Sequence, residues 1–215
     1  MVEQGTTEWF ALRMGIPTAS NFHKIVTPTG KLSAQSRGYA IYLVTERLLN
    51  RSLDSLQHLE WVERGKELEP EAVRMYEFEN EVSTQKVGFV TTDDGRIGAS
   101  PDRLIVGQPA GLEVKCPAPH THVEYMVDGF GKDYIPQVQG QMLVGDFEYV
   151  DRYSFHPEMP PVRQRTYRNE PFIKLLRDSL DAFCQQKDEM LEQVKARGYF
   201  AERAQVLLPQ DVEHA

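Results

Sequence analysis

The sequence predicts a mixed α/β domain, and three observations carry that reading. Apolar residues recur at helical spacing in 33–50 and again in 171–196. Between 81 and 117, strand-like runs alternate with Asp-Asp-Gly and Gly-Gln-Pro-Ala-Gly turns. No internal repeat, linker or low-complexity segment divides the 215 residues. A single domain over 1–215 is therefore expected: a helical part at 1–80, a sheet core at 81–168, and a C-terminal helix at 170–198 with a short tail.

Taken in order, PTASNFHKIV (17–26) predicts a short helix capped by Thr18 or Ser20. Residues 33–50 predict a longer helix starting at Ser33, with Ile41, Val44 and Leu48 on one face. Residues 59–80 are helical in content, but Pro70 lacks a backbone donor, so either the helix kinks or a second one starts there. Residues 81–92 and 96–106 predict strands joined by the DDG hairpin turn, and the GQPAG turn leads into a third strand, LEVKCP. Helical material is expected in 120–144 and strands near 148–155 and 162–168. A final helix carries Phe172, Leu175, Leu176, Leu180, Phe183, Met190 and Leu191 as its apolar stripe.

Composition narrows the function classes. Hydrophobic residues make up 40% and charged residues 26%, an ordinary globular balance that argues against disorder. No apolar run approaches the length of a membrane span, and the N-terminus lacks a basic segment followed by an apolar one, so neither membrane nor export is expected. Cys116 and Cys184 are then expected as reduced thiols in the cytoplasm. The net charge of −8 argues against nucleic-acid binding through bulk charge, yet leaves room for an acidic metal site beside a local basic groove.

The stretch GASPDRLIVGQPAGLEVKCP (98–117) carries the chemistry. Asp102 and Glu113 fall on two strands joined by the GQPAG turn, so their carboxylates can converge on one cation. Side chains alternate along a strand, which sends Glu113 and Lys115 to the same face and leaves the Val114 carbonyl at the sheet edge between them. Hard oxygen donors of this kind suit Mg²⁺. Lys115 would orient or help deprotonate a water, or offset charge in the transition state. The set reads as metal-assisted phosphodiester hydrolysis. Against it stands the plain reading that surface strands often carry Glu and Lys two apart.

The same residues resemble the PD-(D/E)xK nuclease superfamily, through Pro101-Asp102 and Glu113-Val114-Lys115. The likeness extends to EQGTTEWFALRMGIPTAS (3–20), RGKELEPEA (64–72) and IPQVQGQMLV (135–144), which fall in the order seen in the phage lambda exonuclease, or YqaJ-type viral recombinase, family. That resemblance implies a restriction-endonuclease-like core, a central mixed β-sheet flanked by helices. It implies that Asp102, Glu113 and the Val114 carbonyl bind metal, with Lys115 as catalytic lysine. Glu69 would serve the metal site or the attacking water, and Gln137 would position Lys115 or the substrate. Arg13, Ser20 and Ser100 match the pocket for a 5′-terminal phosphate. Implied further are Mg²⁺ (two ions, with Mn²⁺ able to substitute), double-stranded DNA ends as substrate, a toroidal homotrimer, a phage-type single-strand annealing partner and a bacterial cytoplasm. The activity implied is 5′→3′ exodeoxyribonuclease, leaving 3′ single strands for recombination. An endonuclease of the same superfamily and a non-catalytic end-binding module are the alternatives.

The sequence departs from the family pattern in three places. Arg103 stands where glycine is usual, Pro70 directly follows Glu69, and Gln137 leads to Gln141 where the wider superfamily often has tyrosine. Four further features have plainer readings. His120 and His122, after two prolines, read as mobile loop histidines rather than ligands, and Cys116 as a buried packing residue. Trp61 and Val62 read as core packing, with a wedge against the terminal base pair as the functional alternative. The basic residues of 162–168 and 194–197 read as a solvated face.

Overall fold

The computed structural model describes residue 2, residues 4–53 and residues 60–198. Its helices are α1 (Thr7–Arg13), α2 (Ser36–Leu49), α3 (Glu60–Asn80), α4 (Pro119–Asp128), α5 (Ile135–Gly145) and α6 (Glu170–Ala196), with a 3-10 helix at Ala19–Lys24. Its strands are β1 (Thr84–Lys86), β2 (Val90–Thr91), β3 (Gly98–Ala99), β4 (Arg103–Ile105), β5 (Ala110–Lys115), β6 (Tyr149–His156) and β7 (Met159–Tyr167). Five strands form the central sheet in the order β1-β4-β5-β6-β7, and β2 and β3 form a separate pair. Only β5 and β6 run parallel within the central sheet. A parallel pair needs a crossover, and α4 and α5 supply it. The expected mixed α/β fold with a PD-(D/E)xK-type core is what the chain forms.

The expected meander is subdivided. DDG joins β2 to β3 outside the central sheet, while the GQPAG turn pairs β4 with β5 as expected. Helix α1 was not anticipated. Its signal was Thr6, whose side chain accepts from the Trp9 N–H as an N-cap, with Glu8 in the first turn. The segment after Pro17 forms a 3-10 helix whose N-cap, Thr18, makes no side-chain capping bond. Helix α3 runs through Pro70 as one element, so no second helix starts there. The side chains of Trp61 and Val62 lie outside the described residues, as does the tail beyond 198.

Each face of the sheet has its own core. On one side Ala72, Val73 and Tyr76 of α3 pack on Leu112, Val114, Tyr153 and Phe155. On the other, Phe22, Ile25, Leu43, Val138, Met142, Leu176 and Leu180 bring together the 3-10 helix, α2, α5 and α6. Helix α2 buries Tyr39, Ala40, Leu43 and Val44, and Ile41 is exposed, so its inward face is turned from the one expected. Leu175 of α6 is likewise exposed, while Ile173 is buried. Cys116 is half-buried against the α3-side core, and Cys184 is buried in the opposite one.

Candidate active site

Strand β5 ends at the site, and alternation along it sorts the residues. Leu112 and Val114 point into the α3-side core; Glu113 points to the opposite face, under the crossover helix α5. Lys115 follows Glu113 to that face, and its Nζ donates to Glu113 Oε1 at 2.6 Å. Gln137 and Gln141, one helical turn apart on α5, donate to Oε1 (2.7 Å) and Oε2 (2.7 Å) of Glu113.

The PD dipeptide shapes the sheet edge. Arg103 pairs with Leu112, so continuing the register by two residues sets Pro101 opposite Val114. Proline has no N–H to give the Val114 carbonyl. The Val114 N–H turns instead to Asp102 Oδ2 (2.7 Å), and the Pro101 carbonyl takes a hydrogen bond from Gln4 Nε2 (2.8 Å). N–H and C=O of one extended residue face the same edge, so the Val114 carbonyl opens on the Asp102 side.

Charge is unbalanced here. Burial first, and then the Glu113 charge, raise the Asp102 carboxyl well above its ordinary range, against Lys115 and the Val114 N–H, which lower it. For Lys115, burial alone would lower the pKa, but Glu113 and Asp102 outweigh it and push it up, so the amine is held as ammonium. Two carboxylates and a carbonyl oxygen around one lysine fit a hard divalent cation that keeps several of its waters. Among the described residues no three His, Cys, Asp or Glu side chains form a ready cage.

Glu69 takes a different place. It lies on the α3 side, where Arg103 NH2 approaches its Oε1 at 3.7 Å, and its charge contributes to the raised Asp102 pKa. Residues directly opposite in an antiparallel pair share a face, which is why Arg103, opposite Leu112, reaches α3.

Arg13, Ser20 and Ser100 come together in a second cluster. The Arg13 guanidinium stacks 3.8 Å from the Trp9 ring centroid, donates to Thr18 Oγ1 (3.4 Å), and approaches Ser100 Oγ (3.5 Å). Trp9 Nε1 donates to Ser100 Oγ (3.2 Å), and Thr18 Oγ1 shares a hydrogen bond with Ser20 Oγ (3.2 Å). Thr18 and Trp9 were not among the expected site residues; their proximity arises because Pro17 and Thr18 pair with Gly98. Gly15, at φ +68°, makes the turn after α1. Its N–H donates to the buried Glu46 (3.0 Å) and its carbonyl accepts from Lys187 of α6 (3.0 Å). The two clusters share α5: a Cβ at Gly140 would stand 2.4 Å from the Phe22 ring, so only glycine lets α5 seat this closely on the 3-10 helix bearing Ser20.

Other expectations are corrected. His122 is not in a loop: Pro119 opens α4, and His122 is fully buried, its Nε2 donating to the Pro160 carbonyl (3.0 Å) and its Nδ1 bonding Ser154 Oγ (2.7 Å). Nor is 162–168 merely solvated. Arg165 sits opposite the buried Asp151 and binds both its oxygens (2.8 and 2.9 Å), while Arg168 donates to the Met142 carbonyl (2.6 Å).

Residues 8–148 match the model of the YqaJ-like viral recombinase domain. The chain belongs to that family. Among solved structures, it is similar to an alkaline exonuclease, LHK-Exo, from Laribacter hongkongensis, at 29% identity and a TM-score of 0.80 over 89% of this chain and 97% of that one. The structure of LHK-Exo in complex with dAMP matches over the same shares, at 30% identity and a TM-score of 0.80. A phage related exonuclease from Haemophilus somnus 129PT shares the fold at 15% identity, with a TM-score of 0.68 over 83% of this chain and 96% of that one. No curated protein matches the chain.

Proposed function

We propose that this protein is a Mg²⁺-dependent 5′→3′ exodeoxyribonuclease that digests one strand of linear double-stranded DNA and leaves 3′ single strands for annealing-type recombination. The observation that carries the reading is the cluster of Asp102, the Val114 carbonyl, Glu113 and Lys115 at one end of β5. Family membership and the likeness to an alkaline exonuclease support it, and the dAMP bound to that relative is a mononucleotide of the kind such an enzyme releases.

Asp102, Glu113 and the Val114 carbonyl would hold Mg²⁺, with Mn²⁺ able to substitute. Bound there, the ion would supply Lewis acidity and lower the pKa of water. Lys115 would stabilise negative charge developing on the phosphate, or orient or help deprotonate the attacking water. Gln137, half-buried and bonded to Glu113, would position Lys115 or the substrate. Arg13, Ser20 and Ser100 receive the 5′-phosphate, one fixed cation with hydroxyl donors around it. Glu69, ion-paired with Arg103, acts from the α3 side on the Asp102 end of the site. The working unit in this reading is a homotrimeric ring around the duplex, acting with a single-strand annealing protein.

A plasmid tests the reading. The protein with Mg²⁺ should leave a closed circle intact and degrade it once linearised. Cutting of the closed circle would make it an endonuclease, and binding without degradation would make it an end-binding module.

A further inference from the structure

We propose that Gln141 is the positioning residue that fixes the Glu113 carboxylate for metal binding, acting through the oxygen that neither Lys115 nor Gln137 holds. The inference rests on the metal-dependent reading above and assigns a role within that site.

The carboxylate of Glu113 is held from both ends. Oε1 accepts from Lys115 Nζ (2.6 Å) and Gln137 Nε2 (2.7 Å), and Oε2 accepts from Gln141 Nε2 (2.7 Å). The terminal torsion of a glutamate has a broad energy profile, so donors on one oxygen alone leave the plane free to turn. A donor on each oxygen fixes it. Gln137 and Gln141 can do this together because they lie one turn apart on α5, the helix that the β5–β6 crossover lays over Glu113.

Gln141 is singled out by what it costs. Its side chain is 1% exposed, and its Oε1 is buried with no hydrogen-bond partner among the described residues. An unsatisfied buried acceptor lowers stability, so packing alone would favour an unbranched apolar side chain of similar volume. What such a side chain would lack is the Nε2 donor to Glu113. Both glutamines donate to Glu113, but Gln137 is half-buried whereas Gln141 is shut away from solvent behind the carboxylate. The two glutamines therefore divide the work: Gln137 on the more open side, Gln141 behind the ligand.

Gln141→Met tests this with three readouts. Melting of the metal-free protein should change little, because the substitution removes the orphaned Oε1 but also leaves Glu113 Oε2 without its donor. Mn²⁺ affinity, measured calorimetrically without DNA, should fall about tenfold, the lower end of the effect of losing a hydrogen-bond partner behind a metal ligand. On linear duplex, kcat should fall about tenfold at saturating Mg²⁺ with KM for ends unchanged. Wild-type Mn²⁺ affinity and kcat in Gln141→Met would overturn the proposal. So would a variant that fails to fold, or melts well below wild type while losing kcat and KM together, since the amide would then be a packing element. If the wild type neither binds Mn²⁺ nor degrades linear DNA, the metal reading itself fails; if it does both and Gln141→Met is unaffected, only the role of Gln141 fails.

Discussion

Arg103 and Glu69 form an ion pair, NH2 to Oε1 at 3.7 Å, across the gap between β4 and α3. The pair is partly exposed, so its contribution to stability is small, at most about 1 kcal/mol. Its consequence lies in where it holds Glu69. If Arg103 acts through Glu69, Arg103→Ala and Glu69→Gln should each lower kcat, and the double variant should be no worse than Glu69→Gln alone. Additive losses in that cycle would show that Arg103 contacts DNA on its own account.

Lys115 stands as an ammonium against Glu113, half-exposed rather than in the core. Lys115→Ala should therefore abolish cleavage with the far-ultraviolet circular dichroism spectrum retained, and Asp102→Ala and Glu113→Ala should do the same. Cleavage by Lys115→Ala comparable to wild type, at matched concentration, would remove the lysine from the chemistry.

Arg13 is stacked on Trp9 and aimed at Thr18 and Ser100. Arg13→Ala should lower activity about ten- to a hundredfold on 5′-phosphorylated ends, the worth of a charge-assisted contact of roughly 1.5–3 kcal/mol. The loss on 5′-hydroxyl ends should be much smaller. Equal losses on end-labelled duplexes of both kinds would make Arg13 a general backbone contact.

The raised pKa of Asp102 predicts a pH dependence with a definite sign. Between the ordinary aspartate value of about 3.9 and the raised one, the folded chain keeps a proton that the unfolded chain releases. Stability of the metal-free protein is therefore lost as pH rises through that window. Asp102→Asn removes the penalty, so it should melt higher than wild type at neutral pH and lose that advantage in acid. Every ~1 kcal/mol recovered reads as about 2–4 °C for a chain of this size. Added Mg²⁺ should raise the melting temperature of the wild type and not of Asp102→Asn.

Light scattering at low micromolar concentration should give about three times the 24.6 kDa chain mass. At −8 per chain, sustained attraction to DNA by bulk charge is unfavourable, whereas a closed ring keeps the duplex at high local concentration without strong contacts. Degradation should then persist when competitor DNA is added after loading. A monomeric mass with turnover stopped at once would reject the ring.

The Asp102, Glu113 and Lys115 cluster was legible because one hairpin fixes it: alternation along β5 and the register across the GQPAG turn decide the geometry. The Gln141 contact was not, since it spans 28 residues and depends on how a crossover helix seats on the sheet. His122 misled for a related reason, and Glu46 and Lys187 gave no signal at all. Each is a polar residue that a sequence places at the surface, and each is buried against partners distant in the chain. The turned face of α2 arose because the long helix α6 packs against it, which no local periodicity reports.

The clamp on Gly15 ties the two ends of the chain together. Its N–H is held from α2 and its carbonyl from α6, 172 residues further on, while α1 on its other side carries Arg13. The Asp102 and Glu113 carboxylates take their hydrogen bonds from β5 and α5. In the proposed reading, loosening α6 at Lys187 would reach the Arg13 end of the site first, so the C-terminal helix would bear on which strand ends are accepted.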